Sequence, residues 1–341
     1  MYCRCERDDC RFCNPVLPPQ SKESTGRRTS SARALRQLGN PGSEVYDRCM
    51  RLARCGARVQ LGLLRAGQIE YMEATIKALQ AHQGEACLIT DKHRAIPLDQ
   101  LIFLNDALLE NPFSQKGTTL RQLVEQATDV FGGVMPVALT LENTYRLDLT
   151  PANADLRGVN TADPVAFGTF LRQKIQAHGA VAAVGGYAER RLIYQRSAEL
   201  YGAGEAARCI HLGIDIWMPA GTAIRCPLDG VVHSVADNAG LGDYGPTVIL
   251  EHAVESVTFY TLYGHLSRVS LHGLTEGQTR HKDEVFATLG SHEENGGWPS
   301  HLHYQMIADL LGCRGDFPGV STRRAQQFYL GLCPPPPLLA L

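Results

Sequence analysis

The sequence lacks several features that would place the chain in a membrane or on nucleic acid. It has no run of about 18 or more apolar residues, so it predicts no membrane-spanning helix. The formal net charge is -2, and the lysines and arginines are spread along the chain, so there is no nucleic-acid-binding patch. The first residues, MYCRCERDDCRF, lack the apolar core of a secretory signal. As written, the chain is expected to be cytoplasmic, and export stays open if the true start lies upstream.

Disulfide bonds are also not expected, although the chain has 11 cysteines. Most of them are scattered without a regular spacing, as in a reduced protein. The exceptions are Cys3, Cys5, Cys10 and Cys13, spaced C-x-C-x4-C-x2-C in the tail. Four thiolates this close together can enclose a structural zinc ion, although the spacing departs from common zinc ribbons. A structural zinc site in the tail is therefore one hypothesis.

The residue patterns divide the chain into three regions. Residues 1–42 contain the cysteines and a linker rich in Pro, Ser, Gly and Arg, with too few large apolar residues to fold alone. In residues 43–130, apolar side chains from Leu52 to Leu79 recur at three- and four-residue steps, which is typical of helices. This second region is predicted to be α-helical. It holds no catalytic constellation, and its partner is unknown.

The third region, residues 131–341, has short β-branched and aromatic runs separated by turn residues. That pattern predicts a mainly antiparallel β core. Asp163 followed by Pro164 marks the start of one helix within it. The predicted fold class is therefore α+β, with an N-terminal α-helical region. The strand-like runs are TAIRCPLDGVVHSV, PTVILEH, SVTFYTLYGHLS, DEVFATLG and HLHYQMI.

Two histidines, His301 and His303, lie one residue apart in the apolar run WPSHLHYQM. Side chains at i and i+2 of a strand share a face, so both imidazoles point the same way. His211 and Asp215, in RCIHLGIDIW, are also an even number of residues apart. The imidazoles of His211 and His303 and the carboxylate of Asp215 suit zinc and leave one coordination position open for water. Taken alone, the two strand histidines are also compatible with satisfied core residues. Asp215 is also compatible with a turn or hydrogen-bonding residue, and His211 with an ordinary surface histidine.

The segments HLGID, YTLYGHLS and ENGGWPSHLHYQM follow one another in this β region. Together they closely resemble the lysostaphin-type (LytM-like) zinc metalloendopeptidases, which cut peptide cross-links in bacterial cell walls. The resemblance covers residues 205–312 and implies a duplicated hybrid motif fold for the core of the domain at 131–341. It implies that His211, Asp215 and His303 bind one catalytic Zn²⁺. It also implies that His265 and His301 are catalytic histidines that do not bind the ion.

The resemblance implies an enzyme that hydrolyses a peptide or peptidoglycan-derived substrate. His301, on the same face as His303, can take up or return a proton beside the metal-bound water. His265 can do the same from the other side, or stabilise the oxyanion. The sequence does not say which histidine is the base.

Two other functions stay open. A catalytically silent binding or regulatory member of this fold would usually have lost a ligand, and none is lost here. A phosphohistidine carrier would use paired histidines, but the His-x-x-x-Asp element counts against it. The flanking segments GGYAERRLIYQRS, GDFPGV and LCPPPPLLAL also resemble a branch of the family that occurs alone or fused to aminotransferases and often lacks an obvious export signal.

Overall fold

The chain divides into two compact units, Met1–Pro112 and Phe113–Leu341. The residue patterns instead predict a domain boundary at residue 130. The predicted linker and the predicted zinc site at Cys3, Cys5, Cys10 and Cys13 lie outside the described residues. The computed structural model describes residues 48–49, 52–53, 58–82, 85–91, 94–109, 111–191, 193–194, 198–204 and 207–337.

The first unit contains a six-stranded antiparallel sheet. Its strands are β1 (Arg58–Arg65), β2 (Gln68–His82), β3 (Glu85–Thr90), β4 (Ala95–Pro97), β5 (Leu101–Leu104) and β6 (Ala107–Leu108). They lie in the order β4-β3-β2-β1-β5-β6. Val59, Leu61 and Leu63 alternate along β1 and are buried in one apolar cluster with Ile76 and Leu88 of the neighbouring strands. The alternation gives the sheet one apolar face.

The α-helical prediction for residues 43–130 is wrong over residues 58–108. Four-residue steps such as Val59 to Leu63 place side chains on one face of a strand as well as of a helix. The three-residue step from Ile76 to Leu79 arises in β2 because the strand register shifts just after Ile76. A β-bulge of this kind moves the next buried position by one residue. An even spacing and a bulge together therefore imitate a helical pattern.

The second unit is mainly antiparallel β, which confirms the prediction for the C-terminal region. Its main sheet has eight strands in the order β15-β12-β13-β14-β17-β10-β8-β7, and only β7 and β8 pair in parallel. Two further pairs, β11 with β16 and β18 with β9, complete the described sheets. The strands are β7 (Thr144–Leu147), β8 (Ala182–Gly185), β9 (Arg208–His211), β10 (Ile214–Trp217), β11 (Ala223–Arg225), β12 (Gly230–Asn238), β13 (Gly245–Val254), β14 (Val257–Gly264), β15 (Thr279–Arg280), β16 (Val285–Thr288), β17 (His301–Ile307) and β18 (Val320–Thr322).

Several helices accompany this sheet. The first lies within the predicted helical region, and the second starts at the predicted position. There the side chain of Asp163 accepts hydrogen bonds from the N–H groups of Val165 and Ala166, and Pro164 occupies the first turn. None of the helices in the described ranges is long and apolar enough to cross a membrane. The helices are α1 (Pro112–Gln126), α2 (Pro164–Ala177), α3 (Ala198–Tyr201) and α4 (Gln326–Leu332).

Strand β17 lies inside the sheet, between β14 and β10, and all its residues are buried. Its side chains alternate between the two faces. His301, His303 and Gln305 share one face, while Leu302 and Tyr304 point to the other. The interior position explains why polar and apolar residues alternate in a strand that is buried throughout.

Candidate metal centre and active site

The pairing of β10 with β17 brings the predicted motifs together. Asp215 is directly opposite His303, and Trp217 is directly opposite His301. Because opposite residues of an antiparallel pair project to the same side, these four side chains form one patch. His301 and His303 therefore share a face as predicted, and so do Asp215 and Trp217.

His211, the last residue of β9, completes the group of three predicted metal ligands. Its Nε2 lies 3.0 Å from His303 Nδ1 and 3.3 Å from Asp215 Oδ1. His303 Nδ1 lies 3.1 Å from the same carboxylate oxygen. Ligands about 2.0–2.1 Å from a tetrahedral zinc ion are about 3.3 Å from each other. The donor types and their separations therefore fit a zinc ion, and the three residues form a candidate metal site.

The outward-facing nitrogen of each candidate ligand histidine is held by the protein. His211 Nδ1 lies 2.9 Å from the carbonyl oxygen of Gly186. His303 Nε2 lies 2.9 Å from Oε1 of Gln305, whose amide nitrogen donates to Pro318 O and Cys333 Sγ. These contacts assign the protons to the outward nitrogens and leave a lone pair on His211 Nε2 and His303 Nδ1. Such partners orient metal-binding histidines and fix their tautomers.

A glycine allows the ligands to approach this closely. A Cβ at Gly213 would lie 2.6 Å from the carbonyl oxygen of Tyr304 and 2.9 Å from the His303 ring. Any side chain there would displace the imidazole from the other two donors. The glycine of HLGID is therefore a requirement of the site.

His265 and His301 lie beside the three candidate ligands. Their ring centroids are 4.2 Å apart, and His301 Nε2 lies 3.9 Å from Asp215 Oδ1. Nδ1 of His301 is held by the carbonyl of Pro299 at 2.7 Å, and Nδ1 of His265 by that of Asn295 at 2.9 Å. In both rings Nε2 is therefore the nitrogen available to exchange a proton. All five residues predicted for the site lie together.

A buried arginine, Arg191, contacts the other oxygen of the candidate carboxylate ligand. Its Nη1 donates to Asp215 Oδ2 at 2.5 Å and to the Tyr194 hydroxyl at 3.2 Å. Its Nε donates to Glu189 Oε2 at 2.6 Å, and the whole side chain is excluded from solvent. Oδ2 is thus engaged by the guanidinium, while Oδ1 faces His211 and His303. This arrangement leaves one carboxylate oxygen for a metal ion.

Burial and the buried charges keep the donors in the forms that bind metals. Burial, with the Arg191 charge nearby, lowers the pKa of His211 to about 4. Burial alone would raise the pKa of Asp215, but His211 and Arg191 hold that pKa well below its ordinary value. Burial also lowers the pKa of His301 and of His265. At neutral pH the imidazoles of His211, His265 and His301 are therefore neutral and the Asp215 carboxylate is ionised.

Residues 209–311 match the model of the protein family described as "Peptidase family M23". That range contains all five residues of the site. This segment is an M23 peptidase domain. The lysostaphin-type resemblance found in the sequence is thereby confirmed.

Curated proteins and solved structures give further matches. The M23 domain is similar to DD-carboxypeptidase/endopeptidase Mpg of Neisseria meningitidis serogroup B, with 39% identity over 98 residues, which are 28% of this chain and 20% of that protein. The Neisseria gonorrhoeae protein of the same name is 38% identical over 98 residues, and that match covers the same fractions of the two chains. The chain therefore spans about a fifth of the length of these relatives. The catalytic domain of lysostaphin from Staphylococcus simulans is similar, with 19% identity and a TM-score of 0.25. That match covers 36% of this chain and 80% of the lysostaphin domain chain.

Two residues that support the M23 site were not found by sequence reasoning. Arg191 lies outside the matched range, and no periodic spacing connects it with Asp215. Tyr244 lies within that range, two residues before the predicted strand run PTVILEH. Its ring centroid is 5.1 Å from that of His303, and its hydroxyl donates to the carbonyl of Phe317 at 3.2 Å. Both contacts depend on strand pairing and loop paths that a single sequence does not reveal.

Proposed function

We propose that the second unit is a zinc-dependent metalloendopeptidase that hydrolyses peptide bonds in peptidoglycan cross-links or muropeptides. The observation that carries the proposal is the convergence of three donor atoms, His211 Nε2, Asp215 Oδ1 and His303 Nδ1, within 3.0–3.3 Å of one another. The similar Neisseria proteins are named DD-carboxypeptidase/endopeptidase, which supports a peptide as the substrate class.

Each residue of the site has a role in this proposal. His211, Asp215 and His303 hold the ion, which when bound polarises a carbonyl and makes water more acidic. His301, the nearer of the two other histidines to Asp215, exchanges a proton through Nε2. His265 stabilises negative charge on the substrate carbonyl oxygen or shares the proton transfer. The lowered pKa values of His301 and His265 keep these two rings neutral, so each can accept a proton before it donates one.

The complete donor set argues against a catalytically silent binding module. It also disfavours a phosphohistidine carrier. A phosphoryl group on His303 would lie against the buried Asp215 carboxylate, and two negative charges at that distance repel strongly in a poorly hydrated site.

A metal-dependent digestion assay tests the proposal. Purified peptidoglycan and free muropeptides are incubated with the wild type, with chelator-treated wild type and with Asp215→Ala. We expect new peptide termini only with the metal-loaded wild type. Hydrolysis that survives both chelation and Asp215→Ala contradicts the proposal, as does formation of phosphohistidine without bound zinc.

A further inference from the structure

A groove of about 600 Å³ lies between helix α2 and the strand ends beside the site. One wall is formed by Gly168, Leu171 and Ile175 of α2, and the other includes Trp217 and Pro299. Most of its lining side chains are apolar. The volume is within the range of about 300–1,000 Å³ that is typical of ligand pockets. The α2 wall lies outside the residues matched by the M23 family.

The groove lies next to one of the candidate catalytic residues, His301. The Trp217 ring, which lines the groove, is stacked on the His301 imidazole, with the ring centroids 5.4 Å apart. Pro299 and Ser300 also line the groove, and they immediately precede His301 in the chain. The Pro299 carbonyl holds His301 Nδ1. Two lining residues, Trp217 and Pro299, therefore contact His301 directly.

The depth of the groove depends on a glycine inside α2. Gly168 is an interior helical residue, and glycine is a much poorer helix former than alanine. A Cβ at this position would lie 3.5 Å from Arg172 Nη1 and 3.7 Å from Pro299 Cβ, which are ordinary contact distances. Packing therefore does not require glycine here. A side chain at position 168 would occupy the space between α2 and Pro299.

The charge around the groove has one sign. No aspartate or glutamate is among the described residues that line it, and Arg172 is the permanently charged side chain among them. Arg172 is exposed, and its Nη2 donates to Thr169 Oγ1 at 2.8 Å. A ligand with a carboxylate is therefore favoured over one with an ammonium group.

We propose that the groove is a substrate subsite for short aliphatic side chains of a peptide that carries a carboxylate, and that Gly168 sets its depth. The proposal rests on the proposed function for its substrate, because it places this subsite beside the bond that is cut. It assigns specificity to helix α2. Peptides of glycine alone leave the apolar walls uncovered, and peptides of lysine bring a like charge to Arg172.

Binding can be measured without turnover. The chain has two tryptophans, Trp217 in the groove wall and Trp298 next to Pro299, so their fluorescence reports on occupancy. The probes are N-acetylated tetra-alanine, tetraglycine and tetralysine, each with a free carboxylate, titrated into chelator-treated full-length protein. We expect tetra-alanine to bind about tenfold or more tightly than either of the other two. Equal affinity for the three peptides overturns the proposal.

Variants of α2 test the role of Gly168. Gly168→Leu fills the groove and is expected to weaken tetra-alanine binding about tenfold or more. Gln173→Leu is the matched control, because it adds the same bulk at an exposed position of α2 that does not line the groove. Circular dichroism and zinc content verify that both variants are folded. Unchanged tetra-alanine binding by folded Gly168→Leu overturns the proposal.

A charge reversal provides a second test that does not depend on Gly168. Arg172→Glu changes an exposed side chain and is expected to reverse the preference between tetra-alanine and tetralysine. An unchanged preference contradicts the assigned charge selectivity. If selective binding is found but no metal-dependent hydrolysis, the proposed function fails and the subsite stands. If hydrolysis is found while peptide binding is unchanged by Gly168→Leu and by Arg172→Glu, the subsite fails and the proposed function stands.

Discussion

At the scale of single residues, the site depends on which nitrogen of each histidine is held by the protein. Gly186 and Gln305 hold the outward nitrogens of His211 and His303, and backbone carbonyls hold Nδ1 of His265 and His301. Two of the rings therefore direct their remaining nitrogen to Asp215 Oδ1, and in the other two Nε2 is the nitrogen proposed to exchange a proton. Similar histidines acquire different roles from their hydrogen-bond partners.

The first prediction separates these roles. His303→Ala removes one of three donors, so the purified protein is expected to lose its zinc. His301→Ala leaves all three donors, so it is expected to keep zinc and to lose about 100-fold or more of turnover, the usual contribution of a general acid or base. Metal analysis and peptide-release kinetics on both variants test this difference. Equal loss of zinc in both variants would show that the two histidines are assigned the wrong way round.

The second prediction concerns Arg191. In the metal-free protein its guanidinium is the cation paired with the buried Asp215 carboxylate, and removing one partner of a buried pair costs about 3–5 kcal/mol. A bound zinc ion supplies positive charge at Oδ1, so the loss is expected to be smaller when zinc is present. Zinc should therefore raise the unfolding temperature of Arg191→Met by more than it raises that of the wild type.

Thermal unfolding with excess chelator and with saturating zinc measures both differences. The control is Arg190→Met, which changes the neighbouring, exposed arginine and is expected to alter stability by no more than about 0.5 kcal/mol. An equal zinc-dependent rise in Arg191→Met and the wild type would show that Arg191 does not neutralise Asp215 in the metal-free protein.

At the scale of secondary structure, the sequence predicts elements whose signals are local. The two-residue period of β17 predicts that His301 and His303 share a face, and Asp163 before Pro164 predicts the start of α2. The failure in β1 to β6 has a local cause too, because a bulge in β2 produces a three-residue step. Asn105 and Asp106, with φ values of 48° and 62°, form the turn between β5 and β6. Asn and Asp at such a turn are a hairpin signal that the helical interpretation overlooked.

The third prediction belongs to α2, which forms one wall of the groove. The Asp163 side chain accepts from Val165 N and Ala166 N at 2.8 and 3.2 Å, so Asp163→Ala leaves these donors to solvent. The expected loss of unfolding free energy is about 1 kcal/mol, measured by urea denaturation. Glu142→Ala, at an exposed position outside any helix, is the control and should change stability by no more than about 0.5 kcal/mol. Equal effects of the two substitutions would show that the cap does not stabilise α2.

At the scale of the whole molecule, the site belongs to the second unit. The contacts that orient its five histidine and aspartate side chains come from residues between Gly186 and Cys333. Arg191 and Asp215 are 24 residues apart and meet across chain segments whose pairing the sequence does not specify. The convergence of the candidate ligands could be predicted because their motifs are short and strand-based. The supporting arginine was not, because its position follows from tertiary structure.

The fourth prediction follows from this division. A fragment of residues 113–341 contains every described residue that holds or orients the site, so it is expected to bind zinc and to hydrolyse muropeptides at rates within about a few-fold of the full chain. In the full chain, zinc at about 100 times its dissociation constant stabilises the unit that binds it by about 2.7 kcal/mol. Hydrogen exchange should then slow in β9, β10 and β17 on zinc addition and stay unchanged in β1 to β6. Loss of zinc binding by a folded fragment, or equal protection of both units by zinc, would show that the first unit contributes to the site.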